Sequence, residues 1–447
     1  MTDQLVRCHF TERNMMKYDT EIHVGTDGTK SFLTLPDFST FNPEAAVTEL
    51  EALFTEGRNQ ADVAAQTDVH TFASLIEVAE EFGERLQRVY GPLSHLDAAM
   101  QTTAVKKAHE KAVALYASFG SDMGMHKGLY LAHKRYQAGG EYKTLSEEQK
   151  KIVDDAILDF ELSGVALPEK EKRQLKKLDA KAAKRGARFG NNLKAAMQLW
   201  KKYITDENQL SGIPVEIKEA MREAAIRSRR KGYQLSLQSS IVFSVLSHAD
   251  NRHLRKEVFV ASAAKASDIG PRPDKLDNRP VMNDILRIEY ARARLLGVND
   301  YAELSLRKKM ADSPAQVFVF LRELAAKAHK RAHNDFEELE EFAKKKLGIS
   351  PLLPWDIAYA CEKLKKEKCG VSENELRPYL TATKVFAGLF GLVERLYGLT
   401  IKEDIEVAKP SVWDPSVRFF RVYDKSGFLR AAFHSSIQRQ RGSAHSR

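Results

Sequence analysis

The chain has 447 residues, with 70 basic and 61 acidic side chains that give a formal net charge of +9. Hydrophobic types make up 43% and charged types 29%, while only 24 glycines and 14 prolines interrupt the sequence. This composition fits about two or three globular domains and excludes collagen-like, disordered and turn-dense all-β chains. The mild positive charge suggests a nucleic-acid partner without establishing one.

Cysteine content and apolar runs indicate the cellular compartment. The three cysteines, Cys8, Cys361 and Cys369, are too few for a disulfide framework, so we expect a reducing environment. We interpret Cys361 and Cys369 as small buried thiols. The N-terminus shows no basic segment followed by an apolar stretch, and no run approaches the roughly 18 apolar residues of a membrane span. We therefore predict a cytoplasmic protein with no membrane partner.

Most of the chain shows helical periodicity with clear start and stop signals. Asn42-Pro43-Glu44 supplies a cap, a proline at the first helical position and an acid in the first turn. Ser313-Pro314 starts a long helix that is predicted to run to about Leu347 and end at Gly348. An apolar stripe predicts another helix, closed by Gly297; it contains Val281, Ile285, Ile288 and Leu295. Further helices are predicted over about 70–89, 103–118, 146–162, 169–202, 214–231, 357–369 and 383–397. The predicted fold is mainly α.

A strand pattern follows near the C-terminus. Residues 417–433 resemble two strands joined by a glycine-containing turn, which predicts a β-hairpin. An isolated hairpin is marginally stable in water, so this hairpin indicates the start of a larger sheet. Residues 434–447 contain three arginines, no acids and a single large aliphatic side chain, and we predict that they are disordered.

Three histidines show part of the pattern of a zinc-binding helix. His109-Glu110 lacks the second histidine of a His-Glu-x-x-His zinc helix. His329 and His333 share a helix face, but Lys330 and Arg331 between them repel a cation and no glutamate base accompanies them.

The remaining combinations of metal-binding or nucleophilic residues are equally weak. His248 and His253, near Asp250, are interpreted as structural, and the spacing of Cys361 and Cys369 is not that of a metal knuckle. No nucleophile elbow, phosphate-binding glycine loop or dinucleotide fingerprint is present. We therefore predict no catalytic and no metal residue, and the substrate-binding residues stay unassigned.

The predicted helix 169–202 is densely basic. An apolar stripe also runs through it, so we interpret the basic side chains as its solvated face and expect no nucleic-acid partner. The alternative is a non-enzymatic helical binding or scaffold protein that uses this basic face. The stripe consists of Leu175, Leu178, Ala182, Phe189, Leu193, Met197 and Trp200.

A collinear series of short motifs runs in order from about residue 15 to about residue 432. The motifs are Leu35–Ser39, Asn42–Glu44, Gly91–Leu96, Asp159–Gly164, Leu167-Pro168, Phe189–Asn192, Thr205–Pro214, Ala266–Asp268, Asp277-Asn278, Leu295–Gly297, Tyr301–Ser305, Lys309–Ala311, Pro354–Tyr359, Leu376–Tyr379 and Val417–Phe420. Together they resemble the oligopeptidase A and thimet oligopeptidase family of zinc peptidases, and 205–214 fits the bacterial oligopeptidase A branch closely.

The resemblance implies a mostly helical, two-lobed peptidase that admits short peptides. In the family, a zinc ion held by His-Glu-x-x-His and a later glutamate activates water, and the glutamate of the motif serves as base. That motif follows the region corresponding to 417–433, and the family's substrate-gripping His and Tyr residues also lie downstream. No zinc ligand can therefore be carried over, and we expect this chain to bind no zinc.

We expect the family pattern to end at Phe433, through truncation or a frameshift. A shifted reading frame after Phe433 permits Phe-Leu-Asp-Pro, which is closer to the family than His434-Ser-Ser-Ile. The predicted organisation is an N-terminal helical region over 1–205, a second helical region over 206–410, a hairpin of an incomplete catalytic lobe over 411–433 and a tail over 434–447. We expect the chain to be inactive alone. A separately encoded C-terminal half is a possible partner.

Overall fold

The computed structural model describes residues 18–24, 30–100, 102–370, 373–404 and 411–436. Helices dominate these residues, and the strands form small antiparallel sheets, which confirms the predicted mainly α fold. None of the described helices is both long enough and apolar enough to span a bilayer.

The structure contains the predicted helices and several further ones, but the helix predicted over 70–89 ends at Ala99 and the helix predicted over 103–118 ends at Gly124. In chain order they are α1 Pro43–Gln66, α2 Val78–Ala99, α3 Thr103–Gly124, α4 Lys127–Ala138, α5 Gly140–Thr144, α6 Glu147–Leu162, α7 Glu169–Leu199, α8 Val215–Arg227, α9 Ser239–His248, α10 Arg252–Ala263, α11 Pro273–Leu276, α12 Arg279–Leu295, α13 Tyr301–Leu306, α14 Pro314–Phe342, α15 Pro354–Cys369, α16 Glu373–Leu376 and α17 Ala382–Tyr397. Single π-helical segments lie at Ala73–Glu77 and Ala343–Leu347, and 3₁₀ turns lie at Glu207–Leu210 and Arg377–Tyr379.

Local caps explain why the starts of α1 and α14 and the stop at Gly348 were predicted correctly. The Asn42 side chain accepts hydrogen bonds from the backbone N–H groups of Glu44 and Ala45, at the start of α1. Ser313 accepts from the N–H of Gln316 at the start of α14. Gly348 ends the π-helical segment that follows α14 with a φ of +66°, a conformation that favours glycine.

The strands pair into three sheets within the described residues. β1 (Tyr18–Val24) pairs with β2 (Lys30–Pro36), and β3 (Lys201–Ile204) pairs with β4 (Tyr233–Ser236). β5 (Thr400–Glu403), β6 (Arg418–Tyr423) and β7 (Leu429–Ser435) form the third sheet in that order.

The predicted hairpin over 417–433 is confirmed as β6 and β7, with two differences. β5 pairs with the other edge of β6, so the hairpin already belongs to a three-stranded sheet. β7 continues through Ser435, which corrects the prediction that the disordered tail starts at residue 434. Residues 437–447 of that tail lie outside the described residues.

By its contacts the chain divides into two compact units. The first comprises residues 1–166 and 381–447, and the second comprises 167–380. These divisions lie away from the boundaries predicted at 205/206 and 410/411. The first unit is discontinuous because side chains near residue 413 pack on side chains near residues 38 and 95.

The core of the first unit lies among α1, α2 and α3. Leu50, Phe54, Leu93 and Ala112 are almost completely buried there. Gly57 permits the close approach of these helices, because a Cβ atom at this position would lie 2.5 Å from the Phe82 ring. The buried positions repeat at helical spacing, which is why the periodicity of the sequence identified these helices.

Two contacts tie the C-terminal segment of the first unit to its N-terminal part. The Trp413 ring lies 4.9 Å from the Phe38 ring and 4.2 Å from the His95 ring, between centroids. The Ser411 hydroxyl donates to Asp37 at 2.6 Å. Hydrogen bonds from Ser39 and Ser411 lower the pKa of Asp37 to about 2.

In the second unit, a buried amide pair joins α7 to the start of α12. The Asn192 amide donates to the side-chain oxygen of Asn278 at 2.9 Å, and the Asn278 amide donates to the backbone carbonyl of Phe189 at 3.0 Å. Both asparagines are buried, so these bonds satisfy polar groups that would otherwise be costly to bury.

A buried carboxylate joins α10 to α15. Asp356 is 0% exposed and accepts from Arg252 at 2.7 Å and from Arg255 at 2.8 Å; Arg255 itself is 1% exposed. Burial alone would raise the pKa of Asp356, but the hydrogen bonds from the two arginines outweigh it and lower that pKa. The Arg255 guanidinium also lies 4.0 Å from the centre of the Tyr359 ring.

The other side chains of α15 differ in their burial. Tyr359 is buried, whereas Trp355 is half-buried, with the Lys256 ammonium 5.1 Å from the centre of its ring. Cys361 and Cys369 are exposed free thiols, so the prediction of buried thiols was wrong. Cys361 follows Tyr359 by two residues, which places it on the opposite side of α15.

Replacing Asp356 by asparagine is expected to destabilise the second unit by about 3–5 kcal/mol, because it removes the counter-charge of a buried arginine. Urea unfolding followed by tryptophan fluorescence measures the loss.

The stability that Asp356 contributes also depends on pH. Because the pKa of Asp356 is lowered in the folded state, its contribution to the free energy of unfolding is present above the ordinary carboxyl pKa of roughly 4 and is lost as the pH falls below that value. The variant should therefore lose less stability on acidification. The control is Asp335→Asn, which breaks an exposed pair with Arg331 and should cost less than about 1 kcal/mol. Equal losses in the two variants would contradict this.

Replacing Trp413 by alanine is expected to destabilise the first unit by about 2–4 kcal/mol, since a half-buried indole leaves its contacts with Phe38 and His95. Thermal unfolding and the rate of limited proteolysis within 411–436 are the measurements. Val63→Ala, at an exposed position of α1, is the control and should leave both unchanged. An unchanged proteolysis rate in the Trp413 variant would show that the contacts of Trp413 with Phe38 and His95 do not stabilise the first unit.

Candidate functional site

The two histidines with zinc-helix spacing lie on the exposed part of α14. Their rings are nearly parallel, with centroids 6.4 Å apart, and His333 Nε2 lies 3.1 Å from Glu337 Oε1. A helix rises about 1.5 Å per residue, so His329 and Glu337 are separated by about 12 Å along the axis and cannot share one ion. The exposed pair and the adjacent Lys330 and Arg331 do not fit a zinc site.

The histidine of the incomplete His-Glu motif is already engaged. His109 Nδ1 lies 3.0 Å from Asp97 Oδ2, and its Nε2 lies 3.2 Å from the Tyr90 hydroxyl. Both ring nitrogens are therefore used in contacts among α2 and α3. This geometry supports a structural role for His109.

No group of three or more His, Cys, Asp or Glu side chains close enough to hold a metal ion occurs in the described part of the chain. Asp250, near His248 and His253, instead accepts from the Ser211 and Tyr359 hydroxyls, each at 2.8 Å. The described residues therefore do not fit the zinc ion that the resemblance implies, and no catalytic step is derived from them.

The basic stretch in 169–202 behaves as the solvated face of a helix over most of its length. α7 ends at Leu199, and β3 starts at Lys201, so the predicted helix is too long by about one turn. Leu175 is buried, and the other apolar positions of the stripe are half-buried against their neighbours. Most of the basic side chains of this stretch are exposed; these are Lys170, Arg173, Lys176, Lys177, Lys181, Lys184 and Arg188.

Several motifs of the resemblance serve the fold. Asn192 and Asn278, from two separate motifs, form the buried amide pair described above. Asp356 and Tyr359, from the motif at 354–359, lie in the buried network that joins α10 and α15. The residues of these motifs hold helices together, which supports a role in the fold.

Two helix faces are among the exposed apolar surfaces of the described residues, and α14 carries the first. Every residue from Phe318 to Glu338 is exposed, including Val319, Phe320 and Leu321, with Phe320 at 64%. Stability of a helix in water comes mostly from packing of its apolar side. An apolar helix face with nothing packed on it marks an interaction surface.

α17 carries the second face. Phe386 and Phe390 are half-buried and contact the Phe420 ring of β6, with centroids 6.0 and 5.2 Å away. A separate stripe at helical spacing is exposed, and its last member, Leu396, is 62% exposed. The stripe consists of Val385, Leu389, Leu392 and Leu396. α17 therefore has two apolar sides, of which the described residues cover one.

Two protein-family models match the sequence. The model described as "Peptidase family M3" matches residues 245–441, and the model described as "Neurolysin/Thimet oligopeptidase, N-terminal domain" matches 49–173. The first match extends eight residues beyond Phe433, where the sequence analysis placed the end of the resemblance. The expectation that the family pattern ends at that residue was therefore too strict.

Full-length relatives agree with the two models. Oligopeptidase A of Salmonella typhimurium is 36% identical over 415 residues, which are 92% of this chain and 61% of that protein. Oligopeptidase A of Escherichia coli is 36% identical over 92% of this chain and 60% of its own length. The dipeptidyl carboxypeptidase of E. coli is 26% identical over 90% of this chain and 59% of its own length. The chain thus spans about three fifths of the length of these relatives, and it belongs to the oligopeptidase A and thimet oligopeptidase family of metallopeptidases.

Proposed function

We propose that this chain forms the helical, non-catalytic part of a zinc metallo-oligopeptidase that hydrolyses short peptides. The observation that carries the proposal is the unequal coverage of the match, 92% of this chain but 61% of the Salmonella relative. About two fifths of the relative therefore has no counterpart here. In this proposal the zinc ligands, the base and the peptide-gripping side chains belong to that part.

The metal chemistry supports this division. A catalytic zinc site of the family's kind needs two histidines one helical turn apart, a glutamate base between them and a further carboxylate. The sequence contains no His-Glu-x-x-His, and the nearest approximations, at His109 and at His329 with His333, are engaged or exposed. We therefore propose that the 447-residue chain is inactive unless the remaining two fifths of an oligopeptidase A chain is present.

The two exposed helix faces support the proposal that a large protein segment binds this chain. The α14 face and the stripe at Val385, Leu389, Leu392 and Leu396 are too apolar to be left in water at little cost, at roughly 25 cal/mol for each Å² of apolar surface. We propose that the remaining two fifths of an oligopeptidase A chain covers them, whether joined to this chain or encoded separately. The free thiols Cys361 and Cys369 suit a reducing compartment, so the proposed place of action is the cytoplasm.

Purified 447-residue chain is expected to retain no stoichiometric zinc after incubation with the metal and dialysis, because no described residues converge on an ion. Elemental analysis gives the metal-to-protein ratio, with carbonic anhydrase carried through the same dialysis as the positive control. The double variant His329→Ala, His333→Ala should give the same ratio as the parent. One zinc per chain, lost in the double variant, would place a metal site on α14 and overturn the assignment.

Joining residues 1–433 to the part of E. coli oligopeptidase A that follows its matched region is expected to produce hydrolysis of short peptides that o-phenanthroline abolishes. The 447-residue chain alone should show none, since the proposed zinc ligands are absent from it. Peptide cleavage is followed by chromatography. Chelator-sensitive cleavage by the 447-residue chain, or a folded chimera without cleavage, would refute the proposal.

A pair of matched variants tests the partner surface in the same chimera. Leu392→Glu places a charge on the uncovered side of α17, whereas Val215→Glu places one at an exposed position of α8. The first should reduce the activity and stability of the chimera while barely changing the circular dichroism of the 447-residue chain. The second should change neither. Equal effects of the two variants would show that the uncovered side of α17 is not the interface.

A further inference from the structure

A cavity of about 650 Å³ lies within the second unit. It is bounded by the end of α7, the start of β3, the last turns of α8, β4 and the start of α9. Its volume is within the range of about 300–1,000 Å³ that small-molecule sites occupy. Met197, Met221 and Ile241 supply its apolar part. The family resemblance assigned no role to this cavity.

The charged side chains that line the cavity all have the same sign. Lys194, Lys201 and Arg227 line it, and none of its lining residues is Asp or Glu. Lys194 and Lys201 have no carboxylate within ion-pair distance among the residues that the structure describes. Arg227 lies 3.4 Å from Glu223 in an exposed pair one helical turn away, which neutralises little of its charge.

The chain next to the cavity increases this positive potential. Four of the five residues from 227 to 231 are basic, and Arg229, Arg230 and Lys231 follow directly on the lining residues Arg227 and Ser228. Charges within a Debye length, about 8 Å at physiological salt, add to the potential in the cavity. Like charges gathered with few acidic partners repel one another, and a bound anion relieves that repulsion.

A neutral donor accompanies the cations. Gln234 is 9% exposed and lines the cavity. Its side-chain oxygen accepts from the Tyr203 hydroxyl at 3.1 Å and from the Ser228 hydroxyl. These two hydrogen bonds fix the orientation of the amide group. Its nitrogen is then free to donate, and no acceptor for that nitrogen occurs among the described residues. An oriented amide N–H beside cationic groups is suited to a carboxylate or phosphate oxygen.

We propose that this cavity binds a small anion that carries two or more phosphate or carboxylate groups. Lys194, Lys201 and Arg227 supply the charge, Gln234 supplies an oriented hydrogen bond, and the methionines contact the carbon skeleton of the ligand. The inference does not depend on the proposed peptidase activity, because binding can be measured on the 447-residue chain without any catalytic step.

The experiment measures binding of tripolyphosphate and of citrate to the 447-residue chain by calorimetry, with glucose as the uncharged probe. Both anions should bind and glucose should not, and binding should weaken as the salt concentration rises. The stronger of the two anions identifies the phosphate or the carboxylate class. Failure of both anions to bind at millimolar concentration would overturn the proposal.

Two triple variants distinguish binding in the cavity from a general effect of net charge on anion binding. Lys194→Gln, Lys201→Gln and Arg227→Gln remove three cavity charges, while Lys176→Gln, Lys177→Gln and Lys181→Gln remove three exposed charges of α7 outside it. Each set lowers the net charge from +9 by three to +6. The cavity set should weaken anion binding about tenfold or more, and the control set less than about twofold. All six positions are exposed, so both proteins should keep the parent circular dichroism. Equal weakening by the two sets would overturn the proposal.

Discussion

The carboxylate of Asp356 is the constraint on which the second unit depends, because it is fully buried and therefore demands charged partners. Arg252 and Arg255 meet that demand, and both come from α10, about a hundred residues earlier in the chain. The same Arg255 donates to the carbonyl of Ala249 at the end of α9 and stacks on Tyr359, whose hydroxyl donates to Asp250. One buried charge thereby fixes the positions of α9, α10 and α15. A change at any member leaves another charge or hydroxyl buried without its partner, and that cost exceeds the small net gain from each bond when all are intact.

The first unit depends on a different kind of contact, in which apolar and aromatic groups join distant parts of the chain. Phe38 and His95 meet Trp413, and Asp37 meets Ser411. The sheet of β5, β6 and β7 is therefore attached to the N-terminal helices, although the whole second unit lies between them in sequence. Such a unit can complete its fold only after residues near 411 have been made, since the closing contacts span more than 370 residues.

Local signals made much of this fold predictable. Asn42-Pro43, Ser313-Pro314 and Gly348 each act within one helical turn, and each marked a helix end correctly. β3 and β5 were missed because four residues are too few to show an alternating pattern, and β3 was counted as part of the preceding helix. The orientation of Cys361 was missed because residue type alone does not fix which side of α15 is covered. The cavity beside Gln234 was also invisible in the sequence, since its lining residues come from five separate elements that only tertiary packing brings together.

The composition of α17 is the strongest physical argument that this part of the family is built to be covered. A helix that packs on one neighbour needs one apolar stripe, and Phe386 with Phe390 provides it against Phe420. The second stripe, ending at Leu396, adds nothing to that contact and exposes apolar surface to water. α14 likewise exposes apolar side chains to water, along the run from Phe318 to Glu338. A partner that binds these faces in the folded state and not in the unfolded state stabilises the fold by mass action. In the proposed enzyme, contact of the catalytic part with either face would therefore stabilise the unit that carries that face.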